Sequence, residues 1–213
     1  MTSPIILDVL DRSTEALLGL AGAIAGGDEV LLETRAQAAC QAAVAPAWVE
    51  ELLLQSVLMV GYPRALVAAA VWRRVSKVAA PSHDPDAGSS AIWSARGVET
   101  CRAIYRTNYD RLRENVRRLH PALDEWMVTE GYGRVIGRAG LDLARRELGT
   151  IVQLTILRSP RQLHSHLRGA LQVGAGPATV EAALEIAAVD ASDQAILEAR
   201  NLWLGVRKAG SAS

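Results

Sequence analysis

The chain has 213 residues, half of them hydrophobic, and its 23 Lys and Arg balance 23 Asp and Glu. That length supports one large or two small domains with real cores, beyond the size that depends on disulfide staples. Zero net charge and an aromatic content of 4% with no Phe argue against nucleic acid, and no run of about 18 uncharged apolar residues marks a membrane span.

Other global features narrow the class. Met1-Thr2-Ser3-Pro4 lacks a basic stretch ahead of an apolar one, so no secretion signal is expected. Cys40 and Cys101 form no CxxC or metal spacing and read as free thiols in a reducing cytoplasm. No metal site and no membrane partner are expected. Charge is unevenly spread: residues 1–90 hold six basic and ten acidic side chains, residues 91–213 seventeen and thirteen. Nearly all the later cations are Arg, whose planar fork captures carboxylates in two bonds, so a small anionic substrate fits.

In chain order, Ala, Leu, Arg and Glu recur at helical spacing, and strand alternation is missing, so the fold class is all-α. Helices are expected near 12–25, 29–44, 46–59 and 63–78. A Pro/Ser/Gly/Asp stretch from Ala80 to Ser90 breaks the pattern and sets a linker over 80–93, between an N-terminal unit (1–79) and a C-terminal one (94–213). A long charged helix follows over 94–118, with a short one after Pro121. Mixed charges on the long helix, from Glu99 and Arg102 to Arg118, read as a solvated or subunit-facing surface. Four more helices are expected near 141–157, 160–173, 177–189 and 193–208. Ser159-Pro160-Arg161-Gln162 has the residues of a capping box, and Gly176-Pro177 and Ser192-Asp193 are start signals.

The halves echo each other. Pro46-Ala47-Trp48-Val49-Glu50-Glu51-Leu52-Leu53 and Pro177-Ala178-Thr179-Val180-Glu181-Ala182-Ala183-Leu184 agree at five of eight positions. The same shift pairs Arg35 with His166 and Ala16 with Glu147, so two tandem copies of one helical unit are expected.

Two polar residues stand out against this pattern. On the helix near 141–157 the buried stripe should be Leu141, Ala144, Leu148, Ile151, Val152 and Thr155, and Glu147 borders it. On the next helix His166 adjoins Leu163, Leu167, Ala170 and Leu171. If these helices turn back near Arg158-Ser159, the pair is offset by about 6 Å along the axis, at roughly 1.5 Å rise per residue. A carboxylate beside an imidazole fixes its tautomer and makes a proton carrier usable near neutral pH. A structural Glu–His contact satisfies the same spacing.

The run Gly131-Tyr132-Gly133-Arg134-Val135-Ile136-Gly137-Arg138-Ala139-Gly140-Leu141-Asp142, then Arg146-Glu147-Leu148, then His166-Leu167-Arg168-Gly169-Ala170-Leu171, resembles the carboxymuconolactone decarboxylase family. That family shares its fold with the alkyl hydroperoxidase D proteins. Glu50 to Gln55 and Gly61-Tyr62-Pro63 resemble the same unit in the first half. The resemblance implies an alkyl hydroperoxidase D-like helical bundle and a homo-oligomer: dimer, trimer or hexamer. It also implies a cofactor-free lyase, decarboxylating or isomerising a small carboxylated lactone or related acid. Glu147 and His166 would be catalytic, and Arg138, Arg146 and Arg168 would hold substrate carboxylates. The peroxidase branch carries a CxxC whose positions here fall on Ser159 and Gln162, so thiol peroxidase chemistry is not expected. A non-catalytic scaffold or small-acid-binding oligomer on the same fold is the competing reading.

Overall fold

The structure, a computed structural model, describes residues 9–210; the N-terminal stretch Met1 to Pro4 lies outside them. Ten α-helices and no β-strand appear among the described residues: α1 (Arg12–Gly26), α2 (Glu29–Gln41), α3 (Pro46–Ser76), α4 (Ser90–Tyr105), α5 (Tyr109–Leu119), α6 (Pro121–Trp126), α7 (Leu143–Ile156), α8 (Pro160–Gln172), α9 (Pro177–Ala188) and α10 (Asp193–Gly210). A 3-10 turn, Arg106–Asn108, joins α4 to α5, and a π-helical segment, Met127–Ile136, continues α6. The described residues form an all-α bundle.

Helix starts follow local chemistry. Asp11, Asp28 and Asp142 cap α1, α2 and α7, each accepting from a backbone N–H three residues on, at 2.7, 2.8 and 3.0 Å. Pro occupies the first turn of α3, α6, α8 and α9. Ser159 precedes α8 as expected but makes no side-chain cap bond. Gly61, at φ 70° and ψ 174°, breaks α3 where the sequence expects a gap between helices.

Three expectations are corrected. The charged helix over 94–118 is two helices, because Arg106 takes φ 46°, ψ −119° and turns the chain. The linker is shorter than 80–93, since α4 begins at Ser90 with Ser89 at its cap. The stretch after Pro121 does not stop at a short helix but runs on as π-helix. Glycines let that segment press against α4: a Cβ on Gly97 would stand 1.9 Å from the Val128 carbonyl oxygen, and one on Gly133 1.9 Å from that of Trp93.

α7 is the central element, packed by α1, α3, α8, α9 and α10. One core joins α4, the π segment and α7–α10; another joins α1–α3. They interlock, Leu18 of α1 lying in the first and Leu141 in the second. A shift of 131 residues carries α8 onto α2 end to end, α7 onto α1 within one residue, and the start of α9 onto that of α3. It also carries the Trp203 Nε1–Glu181 hydrogen bond (3.1 Å) onto Trp72 Nε1–Glu50 (3.3 Å). The positive-φ residues Arg158 and Gly174 fall on Gly27 and Ala43.

Candidate functional site

α7 was expected to bury one stripe, yet residues 144–155 are buried all round, as a helix enclosed by five others must be. Glu147 therefore sits inside the protein, 1% exposed. The turn at Leu157–Ser159 folds α8 back along α7 and brings His166 Nδ1 to 2.8 Å from Glu147 Oε2. The His166 side chain keeps 13% exposure. An ionised carboxylate only accepts hydrogen bonds, so the geometry assigns the proton of a neutral ring to Nδ1. Nε2 has no hydrogen-bond partner among the described residues. One nitrogen is thus held and the other is free to exchange a proton.

Gly169 makes this packing possible. A Cβ there would lie 2.7 Å from Glu147 Oε2 and 2.8 Å from Ile104 Cγ2, so the bare glycine lets α8 close over the carboxylate without displacing either side chain. Nearby, the Tyr105 and Tyr132 hydroxyls meet at 2.7 Å with rings edge to face. Burial, reinforced by the Glu147 charge, raises both phenols above their ordinary range and keeps them neutral. The same burial pushes the Cys101 thiol up to about 12, so it is inert as a nucleophile at neutral pH.

Outside this buried cluster a cleft of about 440 Å³ opens between the α4–α5 turn and α8. Tyr105 and Gly169 lie on its wall, with Arg106, Arg111, His164 and Arg168 around it, and no carboxylate among the described lining residues. Arg106 also donates to the Gln172 carbonyl at 2.7 Å. Gly169, on that wall, faces Glu147 on its buried side; Glu147 and His166 themselves do not line the cleft.

Of the three arginines expected to bind substrate, only Arg168 reaches this cleft. Arg146 is 0% exposed, its guanidinium 2.8 Å from Glu51 and bonded to the carbonyls of Leu141 and Arg138 at 3.0 and 3.1 Å. Arg138 spans Glu51 and the linker residue Asp84, at 3.1 and 3.0 Å. Neither lines the cleft, and carboxylates or backbone carbonyls within the chain occupy the donor edges of both. The long charged helix is corrected in part too: Arg113 and Arg117 clamp Asp124, while Arg106 and Arg111 face the cleft. His120, read as a helix stop, caps α6 through Nδ1 at 3.1 Å from the Ala122 nitrogen.

Sequence reasoning missed Glu51 and Gln55, although two polar residues one turn apart, flanking the run Leu52 to Leu54, were a usable signal. It also missed Tyr105 and Tyr132, for which no local pattern existed. Residues 121–204, from α6 through most of α10 and including Glu147 and His166, match the Carboxymuconolactone decarboxylase family. No curated protein matches the chain.

Proposed function

We propose, from the match of residues 121–204 to the Carboxymuconolactone decarboxylase family, that this chain carries out acid–base chemistry on a small enolisable acid such as a carboxylated lactone. The observation that carries the reading is the 2.8 Å Glu147–His166 pair, packed behind the wall of an arginine-rimmed, acid-free cleft. Arg168, with Arg106 and Arg111, offers charge-assisted bonds to a substrate carboxylate. In a decarboxylation the C–CO2 bond breaks and its electron pair passes into an extended enolate. His166, protonated on Nε2 and held on Nδ1 by Glu147, returns a proton to carbon and is reprotonated from water.

The chain also reads as two copies of one unit. Ala16 and Arg35 stand where Glu147 and His166 do in the second, beside a cleft of about 510 Å³ that includes both. That first copy has no acid–base pair and serves to complete the bundle around α7. A non-catalytic, small-acid-binding protein is the second reading, favoured by the absence of Glu147 and His166 from the cleft wall. Turnover of a panel of lactone acids decides between them. Activity lost in both His166→Ala and Glu147→Gln, with helical content unchanged, is the expected result. Activity surviving in His166→Ala removes that residue from the mechanism; binding without turnover in the wild type establishes the second reading.

A further inference from the structure

Arg138, Arg145 and Arg146 each spend their guanidinium on several acceptors within the chain. Arg35 does not. Its side chain, on α2, is only 29% exposed, yet it donates no hydrogen bond among the described residues, and its Nε is buried. The nearest acid, Asp190 just beyond α9, stands at 3.7 Å, past hydrogen-bond reach, and its own Oδ2 is buried and unbonded. A guanidinium drawn out of water without acceptors carries an uncompensated cost. The side chain lies along α1, where a Cβ on Gly19 would stand 3.6 Å from its Cδ and 3.7 Å from an Nη. From there it faces the cleft of about 510 Å³ between α1, α2 and α9.

The shift of 131 residues puts Arg35 in the place of His166 and Ala16 in that of Glu147. In the second half the α7 carboxylate meets the α8 ring at 2.8 Å. In the first, α2 carries a permanent cation and α1 offers it only a methyl group. Ala16 and Arg35 both line the cleft, so a carboxylate meeting Arg35 from the α1 side has to enter from the cleft. We propose that this cleft binds a small monocarboxylate. Its carboxylate sits on Arg35 as Glu147 sits on His166, and its apolar body lies against Ala38, Ala42 and Ile186. The planar guanidinium takes a carboxylate in two bonds, and Arg12 on the rim adds a second cation. Two rim acids limit the charge of the ligand. Glu185 is held by Arg200 at 2.8 Å, but Glu15 makes no ion pair among the described residues and repels a second negative charge. The arginine-rimmed cleft beside α8 has no such acid. With no Glu–His pair in this first-half cleft, the ligand is held there and not turned over.

Amide NMR of the full chain, titrated with isobutyrate in the millimolar range at constant ionic strength, tests the inference. Saturable shifts are expected at Ala16, Gly19 and Arg35, and succinate, with its second carboxylate, should bind more weakly. Arg35→Gln should weaken isobutyrate roughly tenfold or more, the loss of a charge-assisted bond. Ala16→Glu places an internal carboxylate at the register of Glu147 and should exclude the ligand; it also covers the case in which Arg35→Gln fails to fold. Arg168→Ala, in the other cleft, should leave the Ala16 and Gly19 shifts as they are. No saturable shift at these residues, the same shifts with chloride, or tighter binding of succinate overturns the proposal. So does full-strength binding in both Arg35→Gln and Ala16→Glu, or loss of the shifts in Arg168→Ala.

Discussion

Replacing Glu51 with Ala strands a guanidinium in the centre of the protein. Arg146 is fully buried, and Glu51 is the one carboxylate bonded to it, at 2.8 Å. Burial pulls its pKa below the ordinary value while Glu51 pulls it back up. Arg138 loses the same partner but keeps Asp84 at 3.0 Å, so the damage concentrates on Arg146. Breaking a buried pair from one side costs about 3–5 kcal/mol, or roughly 6–20 °C in melting temperature for a chain of this length. Urea unfolding followed by circular dichroism reads it directly. Glu51→Gln keeps an acceptor and should lose less. The double variant Glu51→Leu with Arg146→Met removes both charges and should recover most of the loss. A loss below about 1 kcal/mol for Glu51→Ala, or a double variant no more stable than the single, would refute the reasoning.

Three shorter predictions follow from the site and its surroundings. Gly169→Ala gains about 1 kcal/mol of helix propensity but overpacks Glu147 and Ile104 at about 1–3 kcal/mol. Stability should therefore change little while the His166 Nδ1–H signal seen by NMR is lost; an unchanged signal means that α8 tolerates the methyl group. Asp124 is held below the usual carboxylate range chiefly by its hydrogen bonds from Arg113, then Arg117, against opposing burial. A depressed folded pKa stabilises fully above the unfolded value of about 3.9 and is lost as pH falls through the folded one. The stability gap between wild type and Asp124→Asn should thus be flat from about pH 5 to 8 and close below about pH 4; a constant gap down to pH 2 contradicts it. Thiol titration of the native protein should find exposed Cys40 and not buried Cys101, with both reacting in denaturant; rapid native reaction of both would show that α4 opens.

What the sequence made legible was local. Proline at first turns placed the starts of α3, α8 and α9, and Glu147 and His166 drew notice as polar residues beside apolar ones. The break at Arg106 was not visible, because the charges at 102–114 keep helical spacing through it and the turn depends on how α5 packs. Nor was the π segment: Gly133 within it and Gly97 on α4 signal close approach only once Trp93 and Val128 are known to oppose them. The partners of Arg138 and Arg146 were hidden for the same reason. Their partner Glu51 lies 87 and 95 residues away, and no pattern within a helix distinguishes a buried cation from one facing a substrate.

The family match begins at Pro121, yet the buried polar groups of that segment find their partners outside it. Gln55 bonds the Arg146 carbonyl and Thr150, Ser56 accepts from Gln153, and Thr14 accepts from Arg145, at 2.8 to 2.9 Å. Without Gln55 and Ser56, the Thr150 hydroxyl and the Gln153 amide on α7 would lose these buried partners, at about 1–3 kcal/mol apiece. α1 and α3 thereby fix the rotation of α7 about its axis. That rotation keeps Arg146 on Glu51 and aims Glu147 at His166 on α8. The first half carries no acid–base pair of its own. Its contribution to the site is made through Glu51, Gln55 and Thr14, which hold the helix that bears the carboxylate.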